Sequence, residues 1–144
     1  MENEKSLQEA TIKKCMSLRV EAVNQGSTVQ EAANRMNKKG IKSVLIKENN
    51  DYLGILTETD LMFEVLIAGK DTKQTKVEAI MSKPLVSLDE NETISKAVDI
   101  MREKRFKHLP ISRNGNVVGM LSVKDLVSFF YKNPQERRTH TEEA

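Results

Sequence analysis

The sequence predicts an α/β protein of the α+β kind, built from two pseudo-symmetric β-α-β-β-α repeats. Three observations predict this fold. The chain of 144 residues carries two copies of one pattern, each copy contains an amphipathic helical stripe, and two β-rich runs joined by a turn signal follow each stripe. A unit that mixes helical and strand periodicity is typical of an α+β protein.

The repeat covers nearly the whole chain. Residues 16–61 align without a gap to residues 81–126 and are identical at 13 of 46 positions. About three identities would be expected by chance at ordinary composition. Two copies are too few for a solenoid, which needs about three units or more. The sequence therefore predicts a pair of similar units packed on each other.

The first helix of each repeat shows start and stop signals. Thr28 and Glu31 form a capping box, in which the hydroxyl and the carboxylate satisfy free amides at the helix start. Gly40 supplies the C-terminal stop. The apolar stripes of the two helices are Val29, Ala32, Ala33 and Met36 in the first repeat, and Ile94, Ala97, Val98 and Met101 in the second.

Two strands and a second helix follow in each repeat. IKSVLIK and YLGIL are joined by ENND, and FKHLPIS and VVGML are joined by RNGN, whose Asn-Gly pair is a strong hairpin signal. A short strand before the first helix is predicted at residues 19–23 and at residues 84–88. Thr57 and Ser122 then open the second helices, which are apolar around most of their circumference.

Composition limits the classes of function. A net charge of +2 disfavours nucleic acid as the main partner, and no apolar run reaches the roughly 18 residues of a membrane span. The polar N-terminus argues against a secretory leader, and the single cysteine favours a reducing, cytoplasmic setting. Residues 1–11 and 132–144 are predicted to be flexible tails, and residues 69–76 a polar linker.

Two copies of a G-h-h-[ST]-x-x-D pattern carry a family resemblance. They are GILTETD at residues 54–60 and GMLSVKD at residues 119–125, accompanied by IMSKPLVSL and FKHLPI in the second repeat. On these motifs the chain resembles a tandem pair of CBS (cystathionine beta-synthase type) domains, the Bateman module, over residues 12–68 and 77–131. The resemblance implies repeats packed sheet to sheet, an adenosine-containing ligand in the cleft between them, and regulation without catalysis.

The chemistry of the motif is compatible with nucleotide binding. A helix start at Thr57 offers N–H groups and a hydroxyl to a phosphate, and Asp60 offers two oxygens to the hydroxyls of a ribose. Gly54 permits a close backbone approach, and Ile55 offers an apolar wall and backbone groups to a base. A second site repeats these roles with Ser122, Asp125, Gly119 and Met120. The alternative is that each aspartate only caps its own helix.

The resemblance also implies which cations meet the phosphates. Arg105, Lys107 and His108 precede or begin the second strand of the second repeat and would serve the first site, which is built on Asp60. Lys42 holds the matching place in the first repeat and would serve the second site. This charge asymmetry predicts tighter nucleotide binding at the first site. The alternatives are a solvated basic face and, for His108, a hydrogen-bonded core position.

Three further residues are expected to border the base pockets: Arg19, Val20 and Pro84. Arg19 stands where the second repeat has Pro84. The arginine is expected either to crowd the first base pocket or to reach a ligand phosphate. One of the two sites is therefore a candidate for a degenerate site that has lost ligand binding. Cys15 aligns with Ile80, which indicates an apolar core position and not a reactive thiol. No metal site, catalytic constellation or required cofactor is expected.

Together these features predict a regulatory module whose ligand is AMP, ADP or ATP. S-adenosylmethionine, NAD and cyclic di-AMP are alternatives that share the adenosine. The apolar second helices predict a homodimer. Because no effector domain follows residue 131, the regulated protein is expected to be another chain or another part of a longer one. The alternative function is a ligand-free dimerisation or scaffold module.

Overall fold

A computed structural model describes residues 9–132 and shows an α+β fold with two small mixed sheets. The tails predicted at residues 1–11 and 132–144 lie almost wholly outside the described residues. Within the described part of the predicted N-terminal tail, Ala10 accepts a hydrogen bond from the Ile94 N–H at 2.8 Å, and Thr11 pairs with Thr93.

Val20–Val86 forms one compact unit, called here the first unit. Its elements are β1 (Ala22–Asn24), α1 (Val29–Lys39), β2 (Ser43–Glu48), β3 (Asp51–Thr57) and α2 (Glu58–Leu61), in the predicted order. In the sheet, β1 runs parallel to β2, and β2 runs antiparallel to β3. The buried core consists of Val23, Val29, Ala32, Met36, Val44, Ile46, Leu56, Val77 and Ile80.

The described residues before Val20 and after Val86 form the second unit. Its elements are β4 (Leu88–Asp89), α3 (Ile94–Lys104), β5 (His108–Arg113), β6 (Asn116–Ser122) and α4 (Val123–Tyr131). The sheet repeats the pairing of the first unit, with β4 parallel to β5 and β5 antiparallel to β6. Its buried apolar residues are Ile12, Ile94, Ala97, Met101, Leu109, Ile111, Leu121 and Leu126.

The compact units do not coincide with the sequence repeats. The short helical turn Val77–Ala79, which opens the second repeat, belongs to the first unit. The matching turn Ile12–Lys14, which opens the first repeat, belongs to the second unit. Each unit therefore includes a segment from the beginning of the other repeat.

The chain that follows each of these turns pairs with the outer edge of a sheet. Ser82 pairs antiparallel with Ile55 of β3, and Ser17 pairs antiparallel with Met120 of β6. We call residues 81–82 and 16–17 the edge segments. They hydrogen bond to the strand on the side that β2 or β5 leaves open, and so satisfy backbone groups that an edge strand would otherwise expose.

The helix boundaries follow from local chemistry. The capping box of Thr28 and Glu31 is confirmed, and Thr93 caps α3 through a bond from the Lys96 N–H. Gly40 ends α1 in the left-handed region at φ 64°, as predicted. Arg105 takes the same conformation at the end of α3, at φ 59°, although this costs a residue with a side chain about 1 kcal/mol.

The second helix of the first repeat departs from the prediction of a regular α-helix. After α2 the chain continues as a π-helix over Met62–Ile67, with the Ala68 N–H bonded to Phe63 O at 3.0 Å. Both second helices keep exposed apolar faces: Met62, Phe63, Leu66 and Ile67 in one, and Val123, Val127 and Tyr131 in the other. Within residues 9–132, no helix has the length and apolar character needed to cross a membrane.

An ion pair fastens β4 to the hairpin of the second unit. Glu90 follows β4 and is only 3% exposed, and its carboxylate accepts hydrogen bonds from the Nε and Nη2 atoms of Arg113. This contact with the guanidinium lowers the pKa of Glu90. The matching residue of the first unit is Gln25, which carries no charge, so the two units are not electrostatically equivalent.

Replacing Gly54 with alanine tests the edge pairing. The added Cβ would lie 2.6 Å from Ser82 O and 2.9 Å from Met81 Sδ, so the edge segment has to move. We expect a loss of about 1–3 kcal/mol in the free energy of unfolding, measured by urea denaturation, and faster amide exchange at Ile55 and Ser82. Gly40→Ala is the control for the exchange measurement: nothing lies within 4 Å of its added Cβ, so it should leave exchange at Ile55 and Ser82 unchanged, although its left-handed φ of 64° costs about 1 kcal/mol of stability. Unchanged exchange at Ser82 in Gly54→Ala would contradict the pairing.

Candidate functional site

The Asp60 turn (residues 57–60) joins the end of β3 to the start of α2. The Thr57 N–H donates to Asp60 Oδ2 at 2.8 Å, and Thr57 Oγ1 donates to the same oxygen at 3.1 Å. The Asp60 N–H donates in return to Thr57 Oγ1 at 3.4 Å. The turn is thus a capping box, and it holds a half-buried carboxylate at the end of the sheet.

Ser82 brings the edge segment into this turn. Its Oγ donates to Asp60 Oδ1 at 3.2 Å, while its backbone exchanges two hydrogen bonds with Ile55 at 2.8 and 3.1 Å. Ser82 is not among the residues that the sequence predicts for the site. The signal that could have found it is the serine at both matching positions of the repeat, Ser17 and Ser82.

The Asp125 turn (residues 122–125) repeats the capping box with fewer bonds. The Ser122 N–H donates to Asp125 Oδ2 at 2.9 Å, and the Asp125 N–H donates to Ser122 Oγ at 3.1 Å. In the part of the chain that the structure describes, no other hydrogen bond reaches this carboxylate. The edge serine differs as well, because Ser17 Oγ accepts from the Arg19 N–H at 3.1 Å.

The glycines and the apolar residues of the motif make the contacts that let the edge segments pair with β3 and β6. A Cβ on Gly119 would lie 2.7 Å from Ser17 O, so glycine is required for the segment to pair with β6. The N–H groups of Ile55 and Met120 are bonded to Ser82 O and Ser17 O. Both N–H groups are therefore used within the sheet. What they retain is a partly exposed apolar side chain.

The predicted cations lie beside the helix starts of their own units. The Lys42 carbonyl accepts from the first N–H of α2, and the Lys107 carbonyl accepts from the first N–H of α4, both at 3.1 Å. Arg105 and Lys107 have exposed side chains, and His108 is half-buried where β5 begins. Arg105, Lys107 and His108 thus belong to the second unit, and Lys42 belongs to the first.

A depression of about 650 Å³ opens on the first unit, a volume typical of small-molecule pockets. Its lining combines apolar side chains with an amide, a carboxylate and an ammonium group: Gln25, Leu53, Glu78, Met81, Lys83 and Pro84. The Glu78 carboxylate accepts from the Gly26 N–H at 3.0 Å. Of the residues predicted to border a base pocket, Pro84 lines this depression, and Arg19 and Val20 lie where the two units meet in sequence.

Cys15 is half-buried in the second unit. Burial raises the pKa of its thiol from 9.0 to about 11, and the negative charge of Asp125 acts in the same direction. The thiol therefore stays protonated at neutral pH, which agrees with an apolar position and not with a nucleophile. Across residues 9–132, acidic, histidine and cysteine side chains form no cluster of three that could hold a metal ion.

The sequence matches a known family in two places. The model of the family described as CBS domain matches residues 12–67 and residues 77–132. The protein MK0525 of Methanopyrus kandleri is 34% identical over 102 residues, which are 69% of this chain and 52% of that protein. The CBS domain-containing protein YhcV of Bacillus subtilis is 31% identical over 117 residues, 81% of this chain and 83% of YhcV. The chain thus spans about half of the first relative and most of the second.

Solved structures share the fold. A conserved protein from Pyrococcus horikoshii superposes with a TM-score of 0.80 at 27% identity, over 84% of this chain and 92% of that one. A hexameric CBS-CP12 protein from bloom-forming cyanobacteria superposes with a TM-score of 0.76 at 25% identity, over 82% of this chain and 66% of that one. The α+β fold with two small mixed sheets is therefore shared with solved proteins.

The raised pKa of Cys15 predicts slow alkylation. At pH 8 the folded protein should react with iodoacetamide roughly 100-fold more slowly than the urea-unfolded protein, because far less thiolate is present. The rate should rise as pH approaches 11. Stability should fall between pH 9 and 11, because the unfolded thiol ionises there while the folded thiol keeps its proton.

Two variants identify the source of this pKa shift. Asp125→Asn should raise the alkylation rate of the folded protein, because it removes the negative charge that disfavours the thiolate. Asp60→Asn, the matched change in the other unit, should leave the rate as it is. Equal rates in folded and unfolded protein would contradict a protected thiol.

Proposed function

Because the chain belongs to the CBS domain family and carries two copies of the domain, we propose that it is a regulatory module that binds an adenine nucleotide and controls a partner protein. The observation that carries the proposal is the repeated turn, in which a half-buried aspartate lies at the start of a helix beside a glycine-bearing strand. CBS pairs are usually regulatory and not catalytic, which agrees with this assignment.

The ribose is the part of the ligand that the aspartates are suited to bind. A carboxylate has about four lone-pair sites on its two oxygens, and the cap of each turn is made mainly on Oδ2. Asp60 accepts three hydrogen bonds and keeps about one lone-pair site for a ribose hydroxyl, whereas Asp125 accepts one and keeps about three. The capping role and the ligand role are compatible, because one carboxylate can accept bonds from both.

Phosphate binding would rest on few groups. The first N–H of each helix is bonded to a lysine carbonyl, and the third is bonded to the cap hydroxyl. A phosphate would therefore meet the second N–H, that of Thr59 or Lys124, together with the helix dipole. Exposed cations such as Arg105, Lys107 and Lys42 would add attraction. AMP, ADP and ATP fit this set. NAD and cyclic di-AMP share the adenosine and carry phosphates that are esterified on both sides, and S-adenosylmethionine shares the adenosine and carries no phosphate.

Regulation requires that the ligand bind two states of the protein with different affinity. The proposed output is a change in the surface that a partner protein contacts, in a cytoplasmic setting. No cofactor is required in this proposal. The aspartates lie within one turn of exposed apolar side chains on their own helices, so an altered helix start is the simplest way for a bound nucleotide to affect a protein contact.

A ligand-free dimerisation or scaffold module is the second candidate. The exposed apolar faces of the second helices favour it, since Leu66 is 79% exposed and Val127 is 61% exposed in the single chain. A structural relative, the CBS-CP12 protein, is hexameric. A homodimer through these faces is part of either candidate. In the second, Asp60 and Asp125 act as caps only.

Nucleotide binding is tested by thermal unfolding of the purified protein with AMP, ADP and ATP. A ligand at 100 times its dissociation constant should add about 2.7 kcal/mol per site, which is several degrees for a chain of this size. Asp60→Ala and Asp125→Ala should each remove one site's share. The loss should be larger for Asp60→Ala if the tighter site is the one built on Asp60.

Thr28→Ala is the matched control for these variants. It removes a capping box of the same kind from α1, so it should cost about 1 kcal/mol of stability and keep the full nucleotide shift. Absence of any shift in the unmodified protein would leave the scaffold candidate. Equal losses in the two aspartate variants would contradict the predicted difference between the sites.

A further inference from the structure

The two motif aspartates differ in how firmly their carboxylates are held. Asp60 accepts hydrogen bonds from the Thr57 N–H, from Thr57 Oγ1 and from Ser82 Oγ, so both of its oxygens are bonded. Over residues 9–132, the Asp125 carboxylate accepts one hydrogen bond, from the Ser122 N–H to Oδ2. The same motif therefore yields one carboxylate fixed at both oxygens and one fixed at a single oxygen.

The repeats differ two residues after each edge serine. Arg19 has a backbone N–H, and this N–H donates to Ser17 Oγ at 3.1 Å. Pro84 stands at the matching position and has no N–H, so the same local bond cannot form at Ser82. In the first unit the serine hydroxyl donates to Asp60 Oδ1 at 3.2 Å. The shared serine thus has a different partner in each unit, and this difference accompanies the exchange of arginine for proline.

We propose that Ser82 is a positioning residue for Asp60, and that Pro84 and Arg19 make the two nucleotide sites unequal. The proposal rests on the proposed function and deepens it. The Asp60 carboxylate is already held at both oxygens and loses little freedom when it accepts a ribose hydroxyl at its remaining lone pair, whereas the Asp125 carboxylate has to be ordered by the ligand itself. The site on Asp60 is therefore the tighter one, and its advantage depends on a ligand with free ribose hydroxyls.

The first test uses no ligand. Three-bond couplings measured by NMR report the side-chain rotamers of Asp60 and Asp125. The couplings should show one dominant rotamer for Asp60 in the unmodified protein and averaging in Ser82→Ala. Ser17→Ala is the matched control and should leave the Asp125 couplings unchanged. Identical Asp60 couplings with and without the Ser82 hydroxyl would overturn the proposal, whatever the protein binds.

The second test measures affinity by calorimetry for AMP and for 2′,3′-dideoxy-AMP, which lacks both hydroxyls. In an Asp125→Ala background, Ser82→Ala should weaken AMP binding roughly five-fold and leave dideoxy-AMP binding unchanged. In an Asp60→Ala background, Ser17→Ala should weaken neither. An equal loss for both nucleotides, or no loss for AMP, would overturn the proposal. If the unmodified protein binds neither nucleotide, the proposed function fails, and the rotamer measurement alone decides whether Ser82 positions Asp60.

Discussion

The backbone pairing of the edge segments with β3 and β6 is the constraint on which the rest of the structure depends. It closes the open side of each sheet, and it requires a glycine at positions 54 and 119, where any Cβ would meet the carbonyl of an edge serine. Through this pairing, the beginning of each repeat belongs to the compact unit that is built mainly from the other repeat. The glycine of the motif is therefore explained by packing before any ligand is considered.

The same pairing places Ser82 beside Asp60 and Ser17 against Met120, and it lets small sequence differences separate the two sites. Pro84 and Arg19 differ in one backbone N–H, and the hydroxyl of the neighbouring serine changes its partner accordingly. The thiol of Cys15 lies within electrostatic reach of Asp125 in the second unit, whereas the first unit has Ile80 at the matching place. The two repeats are thus similar in sequence but differ in the hydrogen bonds and electrostatic contacts of their motif residues.

The helix starts join these local contacts to the proposed regulatory role. Each aspartate belongs at once to a cap and to the end of a sheet, so a ligand bound there would touch the elements that decide where the second helix begins. The π-helical turn Met62–Ile67 and the exposed apolar side chains follow directly. A small change at the helix start can therefore alter how the exposed apolar face of the second helix contacts another protein.

The sequence by itself determined the two repeats, the element order, the caps at Thr28, Thr57 and Ser122 and the hairpins, because these depend on periodicity and on contacts between near neighbours. Only the tertiary structure decided which segment of the chain pairs with the open edge of each sheet. It also decided that the Ile55 N–H is bonded within the sheet and that Ser82 bonds Asp60. These features join residues far apart in sequence, and no local pattern encodes which distant partner a backbone or hydroxyl group will meet.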